Sequence, residues 1–153
     1  MKKLGILIIA MCTLLLAGCS NKKGLDGSLD DIMTKVYEGI PSDDLPSSLE
    51  TVKVTSENQS YYLGDITFDY KEAVASEPLM SSIAHSVVLI RLNDAKDADK
   101  AMKEIKEKVN PRKWVCVEVA EENVIVVNRE DLVLLVMDDE LAQTIKDNFL
   151  NIE

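Results

Sequence analysis

The sequence predicts an α+β fold, with a mainly antiparallel sheet of about four to five strands packed with two to three helices. Three observations lead there. Apolar residues recur at helical spacing in three separated stretches. Between these lie short runs that alternate or are wholly apolar, as strands do. The last such runs are joined by short loops, which suits antiparallel neighbours.

The first helix begins at Ser28, with Asp31 three residues on as a weak capping box. Leu29, Ile32, Met33, Val36 and Ile40 form one apolar stripe, and Gly39 and Pro41 end it. "PSDDLPSSLE" reads as a loop, and "ETVKVT", residues 50–55, as a short strand. Ile66, Phe68 and Tyr70 alternate with polar residues and predict a half-buried strand, which "EAVASEP" continues or follows. After the loop "LMSSIA" comes a stronger strand, His85 to Leu92. Asn93 or Asp94 caps the next helix, in which Ala95, Ala98, Met102, Ile105 and Val109 keep helical spacing until Pro111.

Three strands follow, "WVCVEVA", "NVIVVN" and "DLVLLVM". Asp138 or Asp139 then caps a last helix with Leu141, Ile145, Phe149 and Ile152 facing inward. Leu132 to Met137 is apolar at every position, so both faces of that strand need cover. Helices on both faces are expected; a partner subunit is the other way to supply it.

The chain opens with Met1-Lys2-Lys3 and an apolar run from Leu4 to Ala17, the n- and h-regions of a secretory signal. That run is too short for a membrane span, which takes about 20 apolar residues. It ends in Leu16-Ala17-Gly18-Cys19, which resembles the lipobox of bacterial lipoproteins. The resemblance implies that residues 1–18 are a lipoprotein signal peptide cut before Cys19. It also implies a diacylglycerol on the Cys19 thiol, often with a further fatty acyl chain such as palmitate on the new amino terminus. Multiple chains make such anchoring stable. Residues 19–27 then form the lipidated cysteine and a flexible tether, reaching about 15 Å. Lys22 and Lys23 lie where anionic headgroups attract them. Residues 28–153 have the size of a single domain.

Charge narrows the function. The 17 basic and 27 acidic residues leave a net charge of -10, and loss of Lys2 and Lys3 makes the remainder more acidic still. Nucleic acid repels such a chain, so a nucleic-acid partner is excluded. Cys12 leaves with the signal and Cys19 is lipidated, so Cys116 is the free thiol and no internal disulfide forms. Cys116 reads as an inert strand cysteine between Val115 and Val117.

His85 is the only histidine, so any acid–base or metal chemistry must pass through it. Glu77, Ser81 and His85 fall at i, i+4 and i+8, but that order places serine between acid and histidine. A working relay needs histidine in the middle. An acid from elsewhere, such as Asp138, would be required; otherwise His85 is expected at the surface or a strand edge. Zinc wants several His and Cys ligands, and no EF-hand or Gly-rich phosphate loop occurs, so no metal or cofactor is expected. Aromatic residues crowd into residues 61–70. Tyr61 and Tyr62, with Ser81, Ser82 and His85 of the following loop, form the candidate binding patch.

The stretches "SEPLMSSIAHSVVLIRL" and "KEIKEKVNPRKWVCV", with the apolar strand before Asp138, resemble a family of small uncharacterised lipoproteins of Gram-positive anaerobes. That resemblance implies a location on the extracytoplasmic face of the bacterial membrane and supplies no activity. The expected function is a monomeric, non-catalytic module that binds an envelope protein, peptide or small ligand. The alternative is a small cell-envelope hydrolase using His85 with Ser81 or Ser82.

Overall fold

The computed structural model describes residues 25–153. Cys19, the signal segment and most of the tether lie outside the described residues. In chain order the elements are α1 (Leu29–Val36), β1 (Leu49–Lys53), α2 (Gln59–Leu63), β2 (Tyr70–Pro78) and β3 (Ser86–Leu92). Then come α3 (Ala98–Lys108), β4 (Val124–Arg129), β5 (Leu132–Met137) and α4 (Ala142–Asn151).

Among the described residues the strands form one five-stranded sheet in the order β1-β2-β3-β5-β4, antiparallel throughout. The chain leaves β3, crosses one face as α3, and returns through the β4–β5 hairpin. This is the α+β architecture the patterning predicts, with β5 between β3 and β4.

The apolar run in β5 is explained by that central place. Leu132, Leu134 and Val136 pack with Leu29, Ile32, Val36, Ile145 and Phe149, beneath α1 and α4. Val133, Leu135 and Met137 point the other way, to Phe68, Ala101, Ile105 and Trp114 beneath α3. Helices therefore cover both faces. Burying one Leu side chain contributes about 1.5–3 kcal/mol, so this strand is the centre of the fold's hydrophobic stabilisation.

Helix starts follow local chemistry. Ser28 Oγ accepts the Asp31 N–H at 3.1 Å and donates to the Asp31 carboxylate at 2.7 Å. Asp94 Oδ1 accepts the Lys96 N–H in the 3-10 turn that leads into α3. Asp138 Oδ1 accepts the N–H groups of Glu140 and Leu141 just before α4.

Four expectations need correction. Residues 114–120 form no strand; Trp114 and Val119 tuck inward from an irregular segment in which Cys116 is exposed with φ +63°. Val115, Val117 and Val119 alternate with Cys116 and Glu118 in sequence, but Val115 is exposed and the segment makes no ladder. Residues 66–69 are likewise irregular, although Ile66 and Phe68 are buried as expected. The short helix α2 has no counterpart in the sequence expectations, because "QSYYL" has too few residues to show a period. Finally, Leu25 is buried and Arg91 donates to the carbonyls of Leu25 and Gly27, at 3.2 and 2.8 Å, so residues assigned to the tether join the fold.

Gly64 shows how α2 is placed. It ends that helix at φ +75°, and a Cβ there would lie 2.2 Å from the Lys108 carbonyl oxygen. Only glycine lets α2 abut the C-terminal end of α3, and that contact sets Tyr61 and Tyr62 over the sheet. Among the described residues no helix is long and apolar enough to cross a membrane.

Candidate functional site

Two polar clusters meet at one end of the sheet, on opposite faces. His85 immediately precedes β3 and Ser86 begins it. Successive extended residues point to opposite faces, so this dipeptide sends an imidazole one way and a hydroxyl the other.

On the α1–α4 face, His85 is fully buried. Its Nδ1 lies 2.7 Å from Asp138 Oδ2 and its Nε2 lies 2.9 Å from the Tyr37 hydroxyl. Ser76 acts on the Tyr37 phenol in the direction opposite to burial, lowering its pKa. With Asp138 ionised, we assign the Nδ1–H tautomer, so that Tyr37 donates to His85 and His85 to Asp138. Burial pushes the Asp138 carboxyl upward, but the bond from His85 and the N–H groups of Leu141 and Glu140 outweigh it. The net result lies below the ordinary carboxylate value. Burial drives the Tyr37 phenol well above its ordinary value.

The order acid–histidine–hydroxyl is the order of a hydrolytic relay. The hydroxyl, however, belongs to Tyr37. A cavity of about 290 Å³ borders Asp138 and is lined also by Asp44, Ile83, Ala84 and Asp139, but neither His85 nor Tyr37 lines it. The cluster pins the start of α4 to β3 and to the end of α1.

The α3 face carries the second cluster. Glu77 is the penultimate residue of β2, and its carboxylate accepts the Ser86 hydroxyl at 2.6 Å and the Lys113 ammonium. Lys113 Nζ also lies 3.2 Å from Ser86 Oγ. Both charges are nearly out of water, with side chains 3% and 11% exposed for Lys113 and Glu77. Burial lowers the Lys113 pKa, and Glu77 pulls it partly back. Three rings surround the ammonium: Tyr61 at 4.4 Å, Tyr62 at 5.0 Å and Trp114 at 5.2 Å to their centroids. These distances are within cation–π range. Tyr61 OH donates to Glu77 Oε2 at 3.2 Å, and burial, with Glu77 second, raises its phenol to about 12.

A serine beside a lysine suggests a nucleophile, but Ser86 is fully buried and donates its proton to Glu77. The outer surface is more informative. The exposed large apolar side chains among the described residues are Leu79 (65%), Val115 (60%), Met80 (50%) and Tyr61 (43%). All lie here. Val115 N–H bonds the Ser81 carbonyl at 2.8 Å, tying the two loops together. Next to them a cavity of about 220 Å³ is lined by Glu50, Val52, Tyr61, Tyr62, Glu77, Pro78, Leu79 and Ser81. A larger cleft of about 450 Å³ lies between α1 and the end of α4, but its Asn148 is committed to the carbonyls of Val36 and Glu38.

The sequence-predicted patch is thus split. Tyr61, Tyr62 and Ser81 share the cavity, Ser82 is exposed beside Ser81 in sequence, and His85 lies across the sheet. His85 is a core residue, contrary to the surface or edge position expected for it. It meets an acid, but neither of its ring nitrogens engages Ser81 or Ser82. Lys113, Trp114 and Ser86 were not foreseen as site residues; the one signal was a lone lysine–tryptophan pair after Pro111. Among the described residues no group of three or more His, Cys, Asp and Glu side chains could hold a metal. No family model, curated protein or solved structure compared with the chain matches it.

Proposed function

We propose that the chain is a monomeric, lipid-anchored lipoprotein of the bacterial envelope. On this reading it is a non-catalytic module whose binding face is the Tyr61–Leu79–Met80–Val115 surface. The observation that carries this is the gathering of the exposed large apolar side chains at one place, beside a cavity. Isolated exposed apolar residues are ordinary, whereas a contiguous patch marks an interaction surface.

Its position agrees with anchoring through Cys19. The chain enters the fold at Leu25, held by Arg91 near the end of β3, while the patch adjoins the start of β3. Seven strand residues separate these ends by roughly 20 Å, so the patch lies at the far end of β3 from Leu25. A lipid-proximal patch would sit at the other end.

Cells fed labelled fatty acid should incorporate it into the wild-type chain and not into Cys19→Ser. In the same cells, a photo-crosslinker at residue 115 should capture an envelope partner, and Leu79→Ser with Met80→Ser should reduce capture at least fivefold. Equal labelling of Cys19→Ser removes the anchor, and unchanged capture removes the binding face.

A further inference from the structure

We propose that β1 receives an extended, basic and apolar peptide segment of a partner protein as an added strand. This rests on the binding-face reading and names the chemistry of what binds. The sheet has two edges, β1 and β4. α3 and α4 both pack against β4, and Lys106 Nζ bonds the carbonyls of Glu121 and Val124 at its start. β1 is exposed at Glu50, Thr51 and Lys53.

The register decides which backbone groups are open. Leu79 N–H bonds Ser48 and Val54 N–H bonds Ala73. Antiparallel pairs alternate between bonded and non-bonded residues, so Glu50 and Val52 also turn their backbone groups toward β2. Leu49, Thr51 and Lys53 turn theirs outward. The Lys53 carbonyl takes the Asn58 amide at 3.1 Å, which closes that end of the edge. Leu49 and Thr51 are left as a short ladder of donors and acceptors, a pattern that a polypeptide strand complements.

Side chains specify the strand. Residues of an incoming segment that share a face with Glu50 and Val52 would lie over the cavity those two line with Tyr62 and Pro78. An apolar side chain suits its Val52–Tyr62–Pro78 wall, and a cation suits exposed Glu50 on a chain of net charge -10. A second copy fits less well. Two-fold pairing about Thr51 would set Lys53 opposite Leu49 and bring two acidic chains together.

The test uses the full-length chain and a blocked peptide of alternating lysine and valine, about five to six residues long. A comparator carries N-methyl groups on every second residue, which keeps its charge and side chains but removes the pairing edge. By fluorescence anisotropy the N-methylated peptide should bind at least tenfold more weakly, and the unmodified one should slow amide exchange at Leu49 and Thr51. Thr51→Pro should cause the same loss with an unchanged circular-dichroism spectrum, because its N–H points away from β2 and edge strands tolerate proline there. The N-methylated arm runs on wild-type protein and so does not depend on that variant folding. If both arms leave binding unchanged while Leu79→Ser with Met80→Ser weakens it, strand addition falls and the binding face stands. If binding ignores all three, both fall. Wild-type dimers that Thr51→Pro disperses would assign the edge to a second copy and overturn the proposal.

Discussion

His85 and Ser86 are sequence neighbours, yet they anchor clusters of opposite kind. The His85 side is closed: both ring nitrogens of His85 are satisfied, by Tyr37 and by Asp138, under α1 and α4. The Lys113 side holds an ion pair, which is costlier to bury, and covers it with the two tyrosines of the short helix α2. Buried hydrogen-bonded networks fix geometry, and a buried ion pair is weak evidence for stability. One sheet end therefore carries a fastening on one face and an exposed apolar surface on the other. Trp114 adds to the contrast: its indole N–H is buried without an acceptor among the described residues, a deficit the His85 cluster lacks.

The harshest way to break the comparison is to charge the sheet between the clusters. Leu134→Asp injures the His85 face and Leu135→Asp the Lys113 face, and both positions are fully buried. Each should cost more than about 4 kcal/mol and leave little soluble, cooperatively folding protein. If Leu135→Asp melts cooperatively while Leu134→Asp does not fold, the Lys113 face is open to water and the symmetry of cover fails.

Next in size is the ion pair. Lys113→Met removes the cation and strands Glu77, at a cost of about 3 kcal/mol in urea unfolding. Adding Glu77→Gln should restore at least half of that loss, because the unpaired charge disappears. Strict additivity of the two changes would mean that Lys113 and Glu77 do not act as a pair.

What could be read from sequence divides along the same line. The helical stripes, the Ser28 cap and the double-sided burial of β5 depend on neighbours a few residues apart, and patterning exposes them, whereas α4 starts from Leu141 and Asp138 instead closes the turn before it. The sites do not depend on such neighbours. His85 reaches Tyr37 and Asp138 across 48 and 53 residues, and Lys113 reaches Glu77 across 36. A lone histidine between Ala84 and Ser86 carries no mark of those partners. Residues 114–120 mislead for a related reason: Val115, Val117 and Val119 alternate in sequence, yet Val115 is exposed and the inward residues are Trp114 and Val119, five positions apart. Tyr61 and Tyr62 were legible as a patch because they sit side by side.

Acid should separate the clusters more gently. The Asp138 pKa is lowered in the folded chain, against about 3.9 when unfolded. Between those values the unfolded state holds a proton that the folded state lacks, so unfolding is favoured as pH falls. The stability from Asp138 is complete above about pH 4 and is lost as pH drops through the lowered folded value. Asp138→Asn should cost about 1–3 kcal/mol at pH 7 and lose less than wild type on moving to pH 3. Parallel acid limbs for the two proteins would place the acid-sensitive group elsewhere.

The smallest effect compares one hydroxyl from each side. Tyr37→Phe leaves buried His85 Nε2 without its donor, so it should cost about 1–2 kcal/mol. Tyr61→Phe removes a 3.2 Å bond at a side chain 43% exposed, where water replaces the lost donor to Glu77, and should cost about 0.5 kcal/mol or less. Alkali offers an independent check on the second. The Tyr61 phenol is raised from 10.0 to about 12, so its contribution is intact below pH 10 and is lost as pH climbs toward 12, where the unfolded chain has already ionised. Tyr61→Phe should therefore blunt the alkaline fall in urea midpoint while leaving the neutral value almost unmoved. If Tyr61→Phe proves the costlier of the two at neutral pH, the exposed surface is the tighter network, and the division into a closed fastening and an open face is the wrong way round.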